Sequence, residues 1–338
     1  KWATKLPFTG SNFPLNTTAD SITYISYGKT AYKCDSDGNL QISGESINSR
    51  PNALNFDNNT GSVITAGNKD GALYFSALNN SLDETENIEF TSNSSSAEIA
   101  GMVSDEQGNI YVLGTGYNTI DYHGETLSEG VFVAKHDASG NLVWVKNIPK
   151  AETFSSIGDA ITLDPQDQNI FITGDFDEEI DVAGGGTLTP DSDGSMFVLE
   201  YDIDGNLLWS NKVDDLRFNS ADLTADYAGN VILTNIFSES IEIGSETYTS
   251  EGNKDIITIK FDTGGEISWA VQAGGASIEY EGITSVDEND NIYFIGEFLS
   301  QNVSIGDSSV TLNDGDGNIL FAKISHDGVV QWTKPHAI

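Results

Sequence analysis

The feature that most constrains this chain is an internal repeat of about sixty residues. One marker of the repeat reads GNIYVLG at 108–114, QNIFITG at 168–174, GNVILTN at 229–235 and DNIYFIG at 290–296. A second marker ends in tryptophan and reads VFVAKHDASGNLVW at 131–144, MFVLEYDIDGNLLW at 196–209, IITIKFDTGGEISW at 256–269 and LFAKISHDGVVQW at 320–332. Because two independent markers share one period, each repeat is predicted to be a structural unit that stacks on its neighbours.

Each repeat is predicted to contain four antiparallel β-strands. Both markers are runs of β-branched and aromatic residues closed by Gly, Asn or Asp, and no stretch has the periodicity of an amphipathic helix. In the fourth repeat the strands are predicted at 159–163, 169–174, 196–202 and 206–211, with a long excursion from 175 to 195. Four antiparallel strands per repeat are typical of a β-propeller blade.

The chain is therefore predicted to be all-β, a single β-propeller of about six four-stranded antiparallel blades that spans residues 1–338. Fainter copies of the repeat at 31–43 and 62–80 extend the pattern toward the N-terminus. Seven blades are the alternative, because KWATKLP at 1–7 resembles WVKNIP at 144–149 and could add a strand at ring closure. The six repeats are placed at approximately 1–46, 47–94, 95–148, 149–213, 214–274 and 275–335.

The tryptophans of the second marker are predicted to be structural. They recur at one position of the repeat, where a large ring can pack between neighbouring blades while its N–H finds a backbone acceptor. These residues are Trp144, Trp209, Trp269 and Trp332.

The segment WAVQAGGASIEYEGITSVDENDNIYFIGEF at 269–298 resembles the SBBP-type β-propeller repeat of bacterial exported proteins. The resemblance covers roughly residues 96–335 well and 20–95 weakly. It implies a surface or secreted module and carries over no catalytic residues. The tryptophan element is also distantly similar to the tryptophan-docking motif of quinoprotein-like propellers. The chain lacks the alanine–aspartate–threonine–glycine sequence usual in that motif and the vicinal cysteine pair of those enzymes.

The charge of the chain restricts its partners. Fifteen Lys and Arg against 52 Asp and Glu give a formal net charge of −37 at pH 7. This charge repels phosphate backbones and anionic bilayers, so a nucleic acid partner is not expected. No run of about 18 apolar residues occurs, so direct membrane insertion is not expected either.

The cysteine content and the N-terminal sequence give information on disulfides and on the cellular location of the protein. The single cysteine, Cys34, excludes an intramolecular disulfide framework and thiolate metal clusters. The sequence starts at Lys1 without a basic and apolar leader. Removal of a leader and a boundary of the sequence explain this start equally well, so the prediction of a secreted or bacterial cell-surface protein rests mainly on the family resemblance.

The acidic loops offer one candidate metal site. The segment DGDGN places Asp314, Asp316 and Asn318 at alternating positions, as at the start of a calcium loop, but no glutamate follows at the twelfth position. Calcium is the candidate cofactor for these residues. The alternative is that the same spacing of Asp, Gly and Asn simply forms a turn. The densest acidic group is interpreted as a solvated rim, with calcium binding as the alternative; it comprises Asp175, Asp177, Glu178, Glu179 and Asp181.

No catalytic residues are predicted. The chain has four scattered histidines and lacks the H-E-x-x-H, G-x-S-x-G and Walker motifs. Non-catalytic binding or scaffolding outside the cell, with a glycan or protein held by blade loops or the channel mouth, is therefore the expected function. Two alternatives stay open: a polysaccharide-active hydrolase or lyase with carboxylates in the propeller channel, and a structural subunit of a surface assembly. Aromatics expected to be exposed near the excursions are Tyr117, Tyr122, Phe176, Phe237, Tyr248 and Phe298.

Overall fold

The structure of the chain is a computed structural model. The chain divides into two compact units. The first unit is Lys1–Pro149 and the second is Lys150–Ile338. All secondary structure in the described residues is β-strand, and none of these residues forms an apolar helix of membrane-spanning length. The described residues are 15–17, 23–27, 30–34, 40–44, 50–57, 62–69, 72–79, 81–89, 97–150, 156–191, 194–216, 221–312 and 318–337.

The first unit contains three four-stranded antiparallel sheets in its described residues. Sheet 1 is built from β1 (Leu15–Thr17), β2 (Thr23–Tyr27), β3 (Thr30–Cys34) and β4 (Leu40–Gly44). Sheet 2 is built from β5 (Arg50–Asp57), β6 (Ser62–Lys69), β7 (Ala72–Leu78) and β8 (Glu84–Glu89). The strands of sheet 3 and its inserted hairpin are β9 (Ala97–Ser104), β10 (Ile110–Gly116), β11 (Ile120–Tyr122), β12 (Glu125–Leu127), β13 (Gly130–His136) and β14 (Leu142–Pro149).

The second unit repeats this pattern three times in its described residues. Sheet 4 and its hairpin contain β15 (Ser156–Leu163), β16 (Asn169–Phe176), β17 (Ile180–Val182), β18 (Gly186–Leu188), β19 (Ser195–Asp202) and β20 (Leu207–Asp214). Sheet 5 and its hairpin contain β21 (Asp222–Ala225), β22 (Val231–Phe237), β23 (Ser240–Ile243), β24 (Glu246–Thr249), β25 (Asp255–Phe261) and β26 (Ile267–Gly275). Sheet 6 and its hairpin contain β27 (Glu279–Val286), β28 (Ile292–Phe298), β29 (Asn302–Ile305), β30 (Ser308–Thr311), β31 (Asn318–Ile324) and β32 (Val330–Ala337).

The four main strands of every sheet pair in chain order, so each sheet is an antiparallel meander. The first strands of consecutive sheets lie against one another: β1, β5 and β9 in the first unit, and β15, β21 and β27 in the second. Within each unit the first strands therefore form the inner edge of the sheets and the fourth strands the outer edge.

Burial follows this order of strands. The second and third strands of sheets 3, 4 and 5 are almost entirely buried. The fourth strands β14 and β20 are mostly half-buried. One core in the second unit joins Phe171 and Met196 of sheet 4 to Leu233 and Phe261 of sheet 5. Each fully buried side chain of this size contributes about 2 kcal/mol to folding.

A short hairpin is inserted between the second and third strands of sheets 3 to 6. Two apolar side chains of its first strand are buried, and the alternate residues face solvent. The hairpin β29–β30 differs from the other three because it joins a main sheet: β29 pairs with β26 and enlarges sheet 5 to six strands. The residues that anchor the four hairpins are Ile120 and Tyr122, Ile180 and Val182, Ile241 and Ile243, and Val303 and Ile305.

The strands predicted in the fourth repeat are confirmed, and the structure extends all four of them at the end of the sheet where the excursion lies. The excursion itself contains β17 and β18, which the sequence analysis did not anticipate. The segment at 1–7, on which the seven-blade alternative depends, lies outside the described residues.

Candidate functional site

The recurring D-x-x-G-N segments form turns in which the aspartate is fully engaged. The carboxylate of Asp226 accepts the backbone N–H groups of Ala228 at 3.0 Å and Asn230 at 2.8 Å, and the Asn230 side-chain amide also binds it. Asp202 makes the same contacts with Asp204 and Asn206. These carboxylates cap backbone donors, so their oxygens are already satisfied within the turn.

In sheets 5 and 6 the turn aspartate also pairs with a lysine on the third strand. Lys260 Nζ lies 2.7 Å from Asp226 Oδ2, with both side chains buried, and Lys323 Nζ lies 3.7 Å from Asp287 Oδ2. In sheet 3 the corresponding lysine, Lys135, lies over the ring of a tyrosine whose hydroxyl donates to the turn aspartate. A lysine therefore occupies this position in sheets 3, 5 and 6, and Lys33 occupies it in sheet 1.

Sheet 4 departs from this pattern, because Glu200 occupies the lysine position. Glu200 lies opposite Trp209 in the strand register, as Lys260 lies opposite Trp269. Burial, reinforced by the nearby Asp164 carboxylate, raises the pKa of Glu200 to about 7, although the Trp209 indole partly offsets the rise. Glu200 is not among the residues predicted from the sequence, yet the aligned segments AKHD, LEYD and IKFD show that it replaces a lysine.

The acidic group of the sheet 4 excursion divides into two parts. Glu179 and Asp181 are exposed on the hairpin, as the rim interpretation predicts. Asp175 is instead buried beside Asp159, which is the bulged residue of the inner strand β15. Burial, with the Asp175 charge as a second cause, raises the pKa of Asp159 to about 8. The rim interpretation is therefore wrong for Asp175.

Two of the marker tryptophans connect neighbouring sheets of the second unit. Trp209 of sheet 4 stacks on Phe261 of sheet 5 with ring centroids 6.2 Å apart. Trp269 of sheet 5 donates its indole N–H to the His326 carbonyl of sheet 6 at 3.0 Å. The turn glycine Gly265 has φ +82°, and a Cβ there would lie 2.7 Å from the Trp209 ring.

The other two marker tryptophans have their described ring contacts inside their own sheets. Trp144 packs at a tilt against Tyr111 of sheet 3, with ring centroids 6.3 Å apart. Trp332 makes an edge contact with Tyr293 of sheet 6, with ring centroids 6.2 Å apart. All four marker tryptophans are half-buried.

The predicted calcium residues are only partly described. Asp314 and Asp316 lie outside the described residues. Asn318 is buried at the start of β31, where it pairs with Phe298 and Ala337. Within the described residues, no group of three or more His, Cys, Asp or Glu side chains could hold a metal ion.

His136 is the most enclosed histidine among the described residues. It is fully buried, its Nε2 lies 2.8 Å from the Tyr122 hydroxyl, and its Nδ1 lies 3.2 Å from the Gly140 carbonyl. Burial lowers the pKa of His136 to about 4, although the Gly140 carbonyl opposes this shift. The neutral ring therefore links the hairpin β11–β12 to the core of sheet 3.

The prediction that six aromatic residues near the excursions are exposed is wrong for most of them. Four of the six aromatics are buried: Tyr122, Phe176, Phe237 and Phe298. The phenylalanines end the second strands, where the inserted hairpin covers them, and Tyr122 is itself a hairpin anchor. Tyr117 is exposed and Tyr248 is half-buried.

The solvent side of the hairpins in the second unit forms an acidic surface, which we call the hairpin face. It consists of Asp181 on β17, Glu242 on β23 and Glu246 on β24, all exposed. In an antiparallel meander the connection from strand two to strand three lies at the opposite end from the other two turns. The hairpin face is therefore separated from the D-x-x-G-N turns by the length of the strands.

Comparison with solved structures identifies the fold. Streptogramin B lyase matches with a TM-score of 0.54 at 13% identity, covering 98% of this chain and 85% of that chain. Hydrazine synthase of Kuenenia stuttgartiensis gives 0.55 at 11% identity, over 90% and 80%. The Dos1 propeller gives 0.50 at 11% identity, over 91% and 71%.

The chain is a β-propeller protein. The predicted fold class is thereby confirmed, and the number of blades stays a prediction. A propeller suits binding and scaffold functions, and the lyase among these structures shows that the fold also supports enzymes.

Sequence comparison supports the repeat character of the chain. A WD repeat-containing protein of Acanthamoeba polyphaga mimivirus is 25% identical over 187 residues, which is 50% of this chain and 13% of that protein. This chain thus corresponds to a small part of that relative. No family model matches the chain, so the SBBP-type resemblance stays a prediction.

Proposed function

We propose that this propeller is a non-catalytic binding module outside the cell, and that the hairpin face of the second unit contacts a protein partner. The single observation that carries the proposal is the recurrence of the inserted hairpin. Each hairpin is anchored by two buried apolar residues and presents its alternate residues to solvent. A rigid scaffold that displays short, sequence-variable hairpins at one end is suited to recognition.

Charge and composition favour a protein over a glycan. Asp181, Glu242 and Glu246 add negative charge to a chain whose formal net charge is already −37, so a partner with a basic surface is attracted. A sugar-stacking platform needs exposed aromatic rings, and most of the candidate rings are buried. The location outside the cell is supported by the SBBP-type resemblance.

The proposal is tested by measuring the binding of the immobilised chain to panels of purified bacterial surface proteins and of glycans. The triple variant Asp181→Lys, Glu242→Lys and Glu246→Lys should weaken binding to a basic protein about tenfold or more. The matched control reverses three exposed charges at the turn end, Asp204→Lys, Glu266→Lys and Glu288→Lys, and should bind like the wild type. Added salt should weaken the wild-type interaction.

Two results would contradict the proposal. Equal binding by the triple variant and the turn-end control would remove the hairpin face from recognition. Turnover of a polysaccharide, abolished by Asp159→Asn, would favour the hydrolase or lyase alternative, because Asp159 and Asp175 form a carboxyl pair with one raised pKa.

A further inference from the structure

The connection between sheets 5 and 6 encloses two buried carboxylates. Asp255 is the first residue of β25 and Glu279 the first residue of β27, and both side chains are fully buried. The Glu279 N–H donates to the Lys254 carbonyl at 3.0 Å, which ties β27 to the start of β25. Ser300 follows β28, and its Oγ accepts the Ser277 N–H at 2.9 Å. Two acids and a hydroxyl thus meet at the junction of two sheets.

The two carboxylates differ in how their oxygens are used. Asp255 accepts hydrogen bonds from the Ser250 hydroxyl at 3.0 Å, the Glu251 N–H at 3.1 Å and the Gln272 side-chain amide at 2.6 Å. Among the described residues, neither carboxylate oxygen of Glu279 has a hydrogen-bond partner. A buried carboxylate without a partner is strongly destabilising, so this group requires a counterpart.

The surroundings of Glu279 do not supply that counterpart. The Ser300 hydroxyl and the backbone amides of Gly275 and Ser300 lie near the carboxylate and favour its charged form, but outside hydrogen-bonding geometry. Burial and the Asp255 charge prevail and raise the pKa of Glu279 to about 7. At pH 8 most of the Glu279 carboxyl is therefore ionised beside Asp255.

Two adjacent glycines keep the enclosure free of further side chains. A Cβ at Gly274 would lie 2.0 Å from the Asp255 carboxylate, and one at Gly275 would lie 2.3 Å from the Asn302 carbonyl oxygen and 2.6 Å from the Ser300 Cβ. Backbone therefore approaches the acids directly. The groups around Glu279 are the Asp255 carboxylate, the Ser300 hydroxyl and peptide backbone.

We propose that Asp255, Glu279 and Ser300 bind a calcium ion at this junction. Calcium takes six to eight oxygen ligands in flexible geometry, and backbone carbonyls and water can complete a set that begins with two carboxylates. A dication balances the two buried charges and gives the Glu279 oxygens the partner that they lack. The absence of a third acidic, His or Cys ligand among the described residues disfavours zinc.

The proposal is independent of the hairpin face and adds a structural role to the module. The ion would connect β25 of sheet 5 with β27 of sheet 6. Two acidic ligands are few for calcium, so we expect a Kd of about 10⁻⁴ to 10⁻³ M, the range of extracellular modules.

Thermal unfolding of the full chain in calcium chloride and in chelator tests this site. Calcium at about ten times its Kd should raise the unfolding midpoint by about 3 to 6 °C, and magnesium should raise it less. Glu279→Gln keeps the shape of the side chain and should abolish the calcium response. Equilibrium dialysis with calcium should show one ion fewer on this variant than on the wild type.

Glu200→Gln is the matched control, because Glu200 is another buried acid of the second unit with a pKa of about 7. This variant should keep the full calcium response. The inference is overturned if calcium leaves the wild-type midpoint unchanged, or if Glu279→Gln responds to calcium like the wild type. A midpoint that rises only on acidification would show that a proton, rather than a metal ion, neutralises Glu279.

Discussion

Replacing Glu200 with lysine should stabilise the second unit, because it restores the charge pattern of the other sheets. The new lysine would lie opposite Trp209 and near Asp164, as Lys260 lies opposite Trp269 and 2.7 Å from its turn aspartate. The substitution converts two neighbouring carboxylates into an ion pair.

The magnitude follows from the pKa of Glu200, which is about 7 in the folded chain against an ordinary value of 4.5. Because the folded pKa is the higher one, stability is fully present below pH 4.5 and is lost as pH rises through about 7. The whole shift corresponds to about 3 kcal/mol, and solvent relaxation around the carboxylate reduces this to about 2 kcal/mol. Glu200→Lys should therefore gain about 2 kcal/mol at pH 8 and less than about 1 kcal/mol at pH 5.

Urea unfolding at the two pH values, followed by tryptophan fluorescence, measures these gains. Glu200→Gln separates the two contributions, since the amide removes the charge without forming an ion pair. The reciprocal control is Lys260→Glu, which creates a carboxylate pair with Asp226 and removes the lysine hydrogen bond to the His326 carbonyl. This control should lose about 3 kcal/mol or more at pH 8.

A neutral or destabilising effect of Glu200→Lys at pH 8 would refute the reasoning. So would a gain of the same size at pH 5 and pH 8, because a gain that does not depend on pH would come from packing rather than from the titration of Glu200.

Three further outcomes are expected in urea unfolding. Gly265→Ala should lose about 2 kcal/mol, because its φ is +82° and the methyl group would press on the Trp209 ring; a loss under about 0.5 kcal/mol would contradict this. Trp269→Phe should lose about 1 to 2 kcal/mol through the hydrogen bond to the His326 carbonyl, and an unchanged midpoint would exclude that bond as a stabilising contact. Burial lowers the pKa of His136 from its ordinary 6.5 to about 4, so the wild type should lose about 2 kcal/mol from pH 7 to pH 5 relative to His136→Gln. Parallel pH profiles of the two proteins would show that folding does not lower the pKa of His136.

The sheets could be predicted from the sequence because each marker is long enough to show its pattern. The markers correspond to the second strand and to the third and fourth strands of each sheet, which carry most of the buried residues. The inserted hairpins could not be predicted in the same way. Strands such as Ile180–Val182 offer only two alternating apolar residues, too few to distinguish a strand from a loop.

The buried acids show a different limit of sequence reasoning. Glu200 could have been found, because it replaces a lysine at a fixed position of the repeat. Glu279 carries no such signal, since its burial depends on how the chain after β26 folds back over Asp255. Asp255 and Glu279 come together because the chain reverses direction after β26. The sequence around each residue shows no pattern that predicts this contact.

The pairing of β29 with β26 means that sheet 5 is completed only after part of the following repeat has been synthesised. During synthesis, the four main strands of sheet 5 leave the ribosome by Gly275, but the partner of the last three residues of β26 arrives only with Asn302–Ile305. Until then this end of the β26 edge is open to any other extended chain. A ribosome stalled between these two points would hold a nascent chain prone to aggregation, and the hairpin of the following repeat closes that interval.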